Sequence, residues 1–388
     1  VSLWLEYYDR FFAASGKSFR ILVVRHLKKQ LKHLHRVTEF ESDHVARFAA
    51  LKGLICGAMC LPTRSKRRSF LIKKLECEID RQILGDGGHK SRCPSTHHFV
   101  LRRLIEIRSI LVGCSYPVPI KLENAIGSMA PALRFFRHQD GGLSLFNGSQ
   151  SETAEVVDRT LIKANSRGQP SASLPIAGFE RFLSGRILAL MDTGGPPPVG
   201  FDDPAHAGTL SVEISIGRER LVTNCGAISD GTEEWRAVQR TTAAHSTLSL
   251  ENRNSIELLS SGGIGKRRPD VNISRDEDDE SFICTAAHNG YTGILGTTHS
   301  RVIKLSKHRE ELDGIDQLFG RAGQRFDIRF HLHPAVSASI MQNGNSAILK
   351  LPKGGGWQFD SVGADLSLED SIFLDGGTSR RSKQLVIS

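Results

Sequence analysis

No stretch of the 388-residue chain approaches the ~18 consecutive apolar residues of a membrane-spanning helix, which excludes such a helix. Val1 to Asp9 lack the basic-then-apolar-then-small order of a signal peptide, and a chain opening on Val rather than Met is expected to lack its native N-terminus. Cysteine is sparse. The seven residues, Cys56, Cys60, Cys77, Cys93, Cys114, Cys225 and Cys284, are odd in number and form no paired CxxC, which argues against a disulfide framework or a cysteine-based zinc site. Cys56 and Cys60 are four apart, so they share a helix face and read as core thiols. A P-loop, an HExxH helix and a GxSxG nucleophile elbow are all missing, so ATP-driven, zincin-type and α/β-hydrolase chemistry have no support. No aromatic RNA-binding strand accompanies the basic residues.

Positive charge is present but uneven. Residues 1–150 hold 25 Lys and Arg against 12 Asp and Glu, whereas residues 151–388 hold 26 against 30. A first half at +13 suits a polyanionic partner, or else a solvated basic surface such as the helix start Arg64-Ser-Lys66-Arg67-Arg68. Apolar residues make up 39% of the chain, enough for large cores over two or three domains.

Helical spacing dominates the first half. Ile21, Val24, Leu27, Leu31 and Leu34 predict a helix over 19–37; a second covers 44–61, with Ser42 or Asp43 as its cap. A third, over 69–84, stops at Asp86-Gly87-Gly88. A fourth, capped by Ser95 or Thr96, runs to about 112, and a fifth covers 120–136. Short connections suggest stacked α-hairpins. Residues 148–175 read as a linker and first strand. From 176 onwards short β-type runs recur, including 186–191, 209–215, 220–223, 246–250, 282–286, 302–305 and 325–331. Thr209 to Ser215 alternates as a half-buried strand, and 267–280 reads as an exposed loop. The expectation is an all-α domain over 1–147 followed by an antiparallel β-sandwich over 176–388.

Four clusters could carry chemistry. Asp86-Gly-Gly-His89-Lys-Ser-Arg92-Cys-Pro94-Ser-Thr-His97-His98 gathers imidazoles, Lys90 and a guanidinium in a loop where polar groups stay reachable. Histidine can act as general base near neutral pH and arginine can grip a carboxylate bidentately. The blander reading is a basic loop with an ordinary helix cap. His206 and His245 each sit just before a strand, as ligand, base or hydrogen-bond anchor. His331 and His333 point to one face of a strand, which suits a shared metal or a structural pair.

At these clusters the chain resembles the heparinase II/III-like proteins of alphaproteobacteria. The likeness rests on Asp86-Gly87-Gly88-His89, Pro94 and His97, on the run Arg134 to Gly148, and on Ala205-His206-Ala-Gly-Thr-Leu-Ser211-Val-Glu213. Val222-Thr-Asn224-Cys-Gly226, Thr242-Ala-Ala-His245 and Arg329-Phe-His-Leu-His-Pro334 continue it over residues 40–388. The resemblance implies an incomplete (α/α) toroid, truncated at its N-terminus, followed by a β-sandwich. It also implies a polysaccharide lyase acting on uronate-containing glycans, in the periplasm or cell envelope. A base takes the C5 proton, a cation or amide neutralises the carboxylate, and an acid protonates the leaving oxygen. By this likeness His97, His89, Arg92 and His206 are the catalytic candidates, with His206 or His97 as base. Arg92, Lys90 and Arg137 would hold the substrate. A structural zinc would sit on His206, Asn224 and His245. The chain departs from the pattern at Thr96, where such lyases carry tyrosine, at Pro204, where they carry histidine, and at Gly208 and Asn224, where they carry aspartate.

Three readings follow. The first is a lyase. The second is a non-catalytic glycan-binding or envelope protein on the same scaffold. The third, a nucleic-acid binder, rests on charge alone, and no specific nucleic-acid partner is expected.

Overall fold

The computed structural model describes residues 1–38, 41, 43–228 and 231–388. Helices come first: α1 (Ser2–Glu6), α2 (Tyr8–Phe11), α3 (Lys17–Val37), α4 (His44–Cys60), α5 (Ser65–Gln82), α6 (Pro94–Gly113), α7 (Ile120–Phe135) and α8 (Ala154–Ala164). All five helices predicted from spacing are present. Asp43 caps α4, its carboxylate accepting from Val45 N at 2.8 Å; Ser42 lies outside the described residues. α6 starts earlier than expected. Cys93 is its N-cap and Pro94 its first residue, where a missing N–H costs nothing and φ is preset. Ser95 is therefore inside the helix, and its hydroxyl reaches Ser149 Oγ at 2.9 Å.

The helix α8 occupies part of the stretch read as a linker. It buries Val157, Thr160, Leu161 and Ala164 on one face and ends on Asn165, left-handed at φ +52°. Four inward residues in a polar segment give a weak signal until a neighbour covers them, here α6 and α7.

Antiparallel strands fill most of the remainder. β1 (Ser173–Leu174), β2 (Phe179–Ser184), β3 (Ile187–Asp192), β4 (Val212–Ile216) and β5 (Glu219–Thr223) are followed by the short helix α9 (Glu233–Val238) and β6 (Leu248–Leu250). Then come β7 (Val271–Glu277), β8 (Ser281–His288), the single turn α10 (Thr292–Leu295), β9 (Thr297–Ser306), β10 (Leu312–Gly320) and β11 (Phe326–Leu332). β12 (Ser337–Ile340), β13 (Ser346–Lys350), β14 (Gly356–Asp360), β15 (Leu366–Asp375) and β16 (Thr378–Ile387) complete the chain. The largest sheet runs β1-β2-β3-β4-β5-β11-β16-β15, with β6 also paired to β11; a second runs β10-β9-β8-β7 and a third β12-β13-β14.

Two strand expectations change. β4 begins at Val212 rather than Thr209, because Leu210 adopts φ +59° and turns the chain; all five of its residues are buried, so it is covered on both faces. The stretch 267–280 contains β7, an edge strand whose mostly exposed side chains hide it from an apolar-pattern reading.

One core joins helices to sheet. Leu104, Ile126, Leu133 and Phe136 pack in the same buried cluster as Leu174, Phe179, Leu188 and Leu190. A second core lies among the strands, around Met191, Val212, Ile303, Leu332 and Leu385. Polar ties cross the same boundary. Asp86 accepts from Ile176 N and Ala177 N, both at 2.8 Å, and Arg181 donates to Phe135 O and Arg137 O, both at 2.9 Å. Among the described residues no helix is long and apolar enough to cross a membrane.

Candidate functional site

The α5–α6 connection is a tight turn. Leu84 N donates to Gly88 O and Lys90 N to Gln82 O, with Gly87 at φ +83° at the corner. A Cβ at Gly87 would strike the backbone of Ser128, so the turn depends on glycine for both conformation and space. The turn delivers Arg92, itself left-handed at φ +56°. Its guanidinium is buried and committed: Nε donates to Ala177 O at 2.6 Å, Nη1 to Gly195 O at 2.6 Å and Nη2 to Gly178 O at 3.0 Å and to the Asp192 carboxylate. It lies over the Phe179 ring at 4.7 Å. Gly194 leaves room for it, since a Cβ there would fall on the guanidinium.

The neighbouring candidates are equally engaged. His89 is buried between Ser91 Oγ at 2.8 Å and Gln82 Oε1 at 3.0 Å, and burial pulls its pKa down to about 3. His97 donates through Nε2 to Met129 O at 2.9 Å on α7; burial brings it to about 4, and its buried Nδ1 has no partner. Lys90 sits over the Phe201 ring at 5.7 Å, half-buried. Arg137 pairs with Asp158 at 2.8 Å and donates to Gly141 O at 2.9 Å. Thr96, half-buried, hydrogen-bonds with Cys93.

On the sheet side, His206 and His245 meet directly, with His206 Nδ1 3.1 Å from His245 Nε2 and the rings edge to face. Proton positions follow from the partners. His245 Nδ1 lies 2.7 Å from Thr241 O, which can only accept, so that nitrogen carries the proton. Nε2 then holds a lone pair, and His206 must donate to it from Nδ1. The remaining lone pair falls on His206 Nε2, beside Gly148, where a Cβ would come within 3.3 Å of it. Burial holds His206 well below its ordinary pKa and His245 at about 4, so both are neutral at pH 7.

Asn224 does not turn toward a free site. Its Oδ1 accepts from Ser246 N at 3.0 Å and its Nδ2 donates to Glu213 Oε1 at 2.9 Å. Glu213, fully buried, also accepts from Leu145 N, Asn224 N and His138 Nε2, the last at 2.7 Å. His331 is held by Ser371 Oγ and Ala243 O, while His333 packs on Phe373, so the strand pair shares no partner. Among the described residues no group of three His, Cys, Asp or Glu is placed to hold a metal.

Asn147 joins the two sides. Its Nδ2 donates to Arg92 O at 3.2 Å and its Oδ1 accepts from His206 N at 3.4 Å. Arg92, Asn147 and Leu210 all have positive φ (+56°, +47° and +59°), and Leu210 N bonds to Asp192 O. Left-handed non-glycine residues cost free energy and persist where surrounding structure holds them, here at the junction of helices and sheet. Sequence reasoning singled out neither Asn147 nor Asp192, Glu213 or His138 as site residues. Asn147-Gly148 carried a turn signal. Asp192 and Glu213 are acids in apolar strands, where a buried carboxylate demands partners.

Residues 166–388 match the family described as Heparinase II/III-like, C-terminal. FtsZ-localized protein C of Caulobacter vibrioides is 28% identical over 382 residues, covering 93% of this chain and 65% of that protein. The crystal structure of heparinase III superposes with a TM-score of 0.77 at 14% identity, over 100% of this chain and 64% of that one. That of heparan sulfate lyase HepC from Pedobacter heparinus gives 0.72 at 15%, over 100% and 64%. The chain thus spans just under two thirds of these relatives, and at such identities the structural likeness speaks for the fold.

Proposed function

The chain belongs to the heparinase II/III-like family, and from that membership we propose that it is an acidic-polysaccharide protein that binds its glycan without cutting it. In this reading residues 1–147 are the incomplete (α/α) toroid, 148–175 the connection containing α8, and 176–388 the β-sandwich. The basic helical half draws the anionic chain to the junction, in the periplasm or cell envelope.

The state of Arg92 carries the choice between binding and cutting. β-Elimination needs a positive or hydrogen-bonding group free to meet the uronate carboxylate as negative charge grows on it. Arg92 spends four of its five N–H donors on Asp192 and three backbone carbonyls, and its charge is paired with the Asp192 carboxylate. The proton donor is weak as well, since Thr96 stands at the tyrosine position and an alkanol is a poor acid. A lyase remains the second reading because His206 Nε2 bears an oriented lone pair at the junction, as a general base requires.

Incubation with heparan, alginate and bacterial capsular polymers tests both. Calorimetry is expected to show salt-sensitive binding, with no growth of the ultraviolet band of an unsaturated uronate. A rise in that band, lost in His206→Ala, would replace binding by catalysis. Absence of binding to every polymer would sink both readings.

The residues aligned with the family's zinc ligands do not fit a divalent metal. The facing nitrogens of His206 and His245 satisfy each other, and Asn224 is a neutral amide with both ends bonded. Chelator treatment is therefore expected to leave the unfolding midpoint unchanged; a drop reversed by added zinc would restore the metal.

The likeness to FtsZ-localized protein C favours a different setting from the periplasm, in which this scaffold localizes with FtsZ. A fluorescent fusion that co-localizes with FtsZ supports it, and a signal independent of FtsZ counts against it.

A further inference from the structure

The loop that leaves β3 and leads to His206, residues 194–204, is built as a hinged strap. Gly194-Gly195 begin it, and Pro196-Pro197-Pro198 form a stiff arm without a single N–H. At its tip Phe201 N donates to Pro198 O at 2.9 Å across a turn with Gly200 at φ +86°. Among the described residues no backbone-to-backbone hydrogen bond ties 194–204 to a distant part of the chain; those it makes stay within it or reach the adjoining Ala205.

Side chains hold the strap down. Arg92 Nη1 donates to Gly195 O at 2.6 Å. Arg268 donates to Pro197 O at 2.6 Å and pairs with the Asp202 carboxylate, which also accepts from Ile264 N at 3.2 Å. Phe201 wedges into the helical half. Its ring stacks on His44 with centroids 4.2 Å apart, meets His89 edge-on at 6.1 Å and carries Lys90 Nζ at 5.7 Å.

We propose that this strap gates an anion-binding site made by Arg92 Nη1 and Lys90, and that it opens to admit the carboxylates of an acidic glycan; the class of ligand rests on the reading given above.

Closed, the strap covers both cations. Lys90 and Arg92 leave the same turn, and each meets the strap, one at Phe201 and the other at Gly195. Lifting it leaves Arg92 in place, because Asp192, Ala177 and Gly178 all lie outside it. Only the bond to Gly195 is lost, so Nη1 then has two N–H groups to offer a carboxylate. Among the described residues Lys90 meets a ring and pairs with no carboxylate, so its charge is available to a ligand once Phe201 withdraws. Closure also leaves two buried polar atoms without a partner: Thr193 Oγ1 at the hinge and His44 Nδ1 on the ring against Phe201. Each disfavours the closed state, and water entering beneath a lifted strap would satisfy both. A loop held by side chains alone, over unsatisfied groups, is suited to open and close.

Acetylation of Lys90 by an N-hydroxysuccinimide ester, read by peptide mass, reports opening in the whole folded chain, with exposed Lys163 as internal control. Phe201→Ala removes the wedge and Arg268→Gln the latch, so misfolding of one variant leaves the other. Both are expected to acetylate Lys90 several-fold faster with Lys163 unchanged. Calorimetry with heparan and alginate should show both variants binding several-fold more tightly than the native chain. Lys90→Ala added to Phe201→Ala should cancel that gain. Unchanged Lys90 acetylation in both variants overturns the strap. Faster acetylation with native affinity for the polymer overturns its role as a gate. Faster acetylation with no polymer bound by any form fails the glycan reading instead, and overturns the ligand assigned here with it.

Discussion

At the residue scale, buried polar groups are the sensitive points. Glu213 is fully enclosed and accepts from four donors, so Glu213→Ala leaves those donors without an acceptor. Breaking such a buried charged network costs about 3–5 kcal/mol, which urea unfolding would register. Asn224→Asp asks a different question. A carboxylate at that position faces Glu213 across 2.9 Å, replacing a donor by a like charge. The variant is expected to be much less stable than the parent at pH 7. The gap should narrow as pH falls, because protonating the introduced aspartate restores a donor toward Glu213. A constant gap between pH 7 and 5 would contradict this. Glycine offers a paired control. Gly178 (φ +75°) packs against Gly194 Cα, whereas Gly185 (φ +53°) has open space where a Cβ would go. Gly185→Ala should cost only the left-handed strain, about 1–2 kcal/mol, and Gly178→Ala clearly more.

At the element scale, histidines packed inside helices and strands link stability to acid. Burial holds His89 and His331 at about 3 and His97 and His245 at about 4, against 6.5 for the free side chain. They are neutral when folded and become charged in the unfolded chain once pH drops below 6.5. Their contribution is complete above that value and is lost as pH falls toward 4 and then 3, by about 1.4 kcal/mol per pH unit for each. The urea midpoint should thus decline from pH 7 to pH 5. In His97→Gln, where the amide can still donate to Met129 O, proton uptake on unfolding at pH 5 should drop by nearly one. The β7–β10 sheet has its own relay. Gly290 N donates to His288 Nδ1, so His288 donates from Nε2 to His299 Nδ1, and His299 donates from Nε2 to Asp316. Asp316 in turn holds Arg301, which reaches Leu210 O and Ser246 O at 2.9 Å each. This sheet therefore braces the segments that follow His206 and His245.

At the scale of the whole molecule, helices and strands share a core and a set of polar ties across their boundary. A shared core predicts one cooperative transition, with fluorescence and circular dichroism coinciding in urea. His138→Ala removes the donor that reaches Glu213 from the loop after α7, and should lower the midpoint of that transition. Two separate transitions in the parent would mean that the ties contribute little.

Much of this molecule was legible in its sequence because periodicity is local. Five helices, most strand positions and the helix-to-sheet order follow from the spacing of apolar residues and from turn residues such as Asp86-Gly87-Gly88. The segments misread were those whose pattern depends on a partner: α8 in a polar stretch, β7 on an exposed edge, and β4 covered on both faces. Residue types at the junction were equally readable. His89, Arg92, His97, His206, Asn224 and His245 all lie in or around it. Which groups they hydrogen-bond there is set by tertiary contacts alone. Sequence supplies a guanidinium and several imidazoles, but Asp192, 100 positions after Arg92, decides that the charge is spent. Thr241, Glu213 and Asn147 decide where protons and lone pairs lie. Hydrogen-bond commitment is a property of neighbours in space, and no spacing along the chain encodes it.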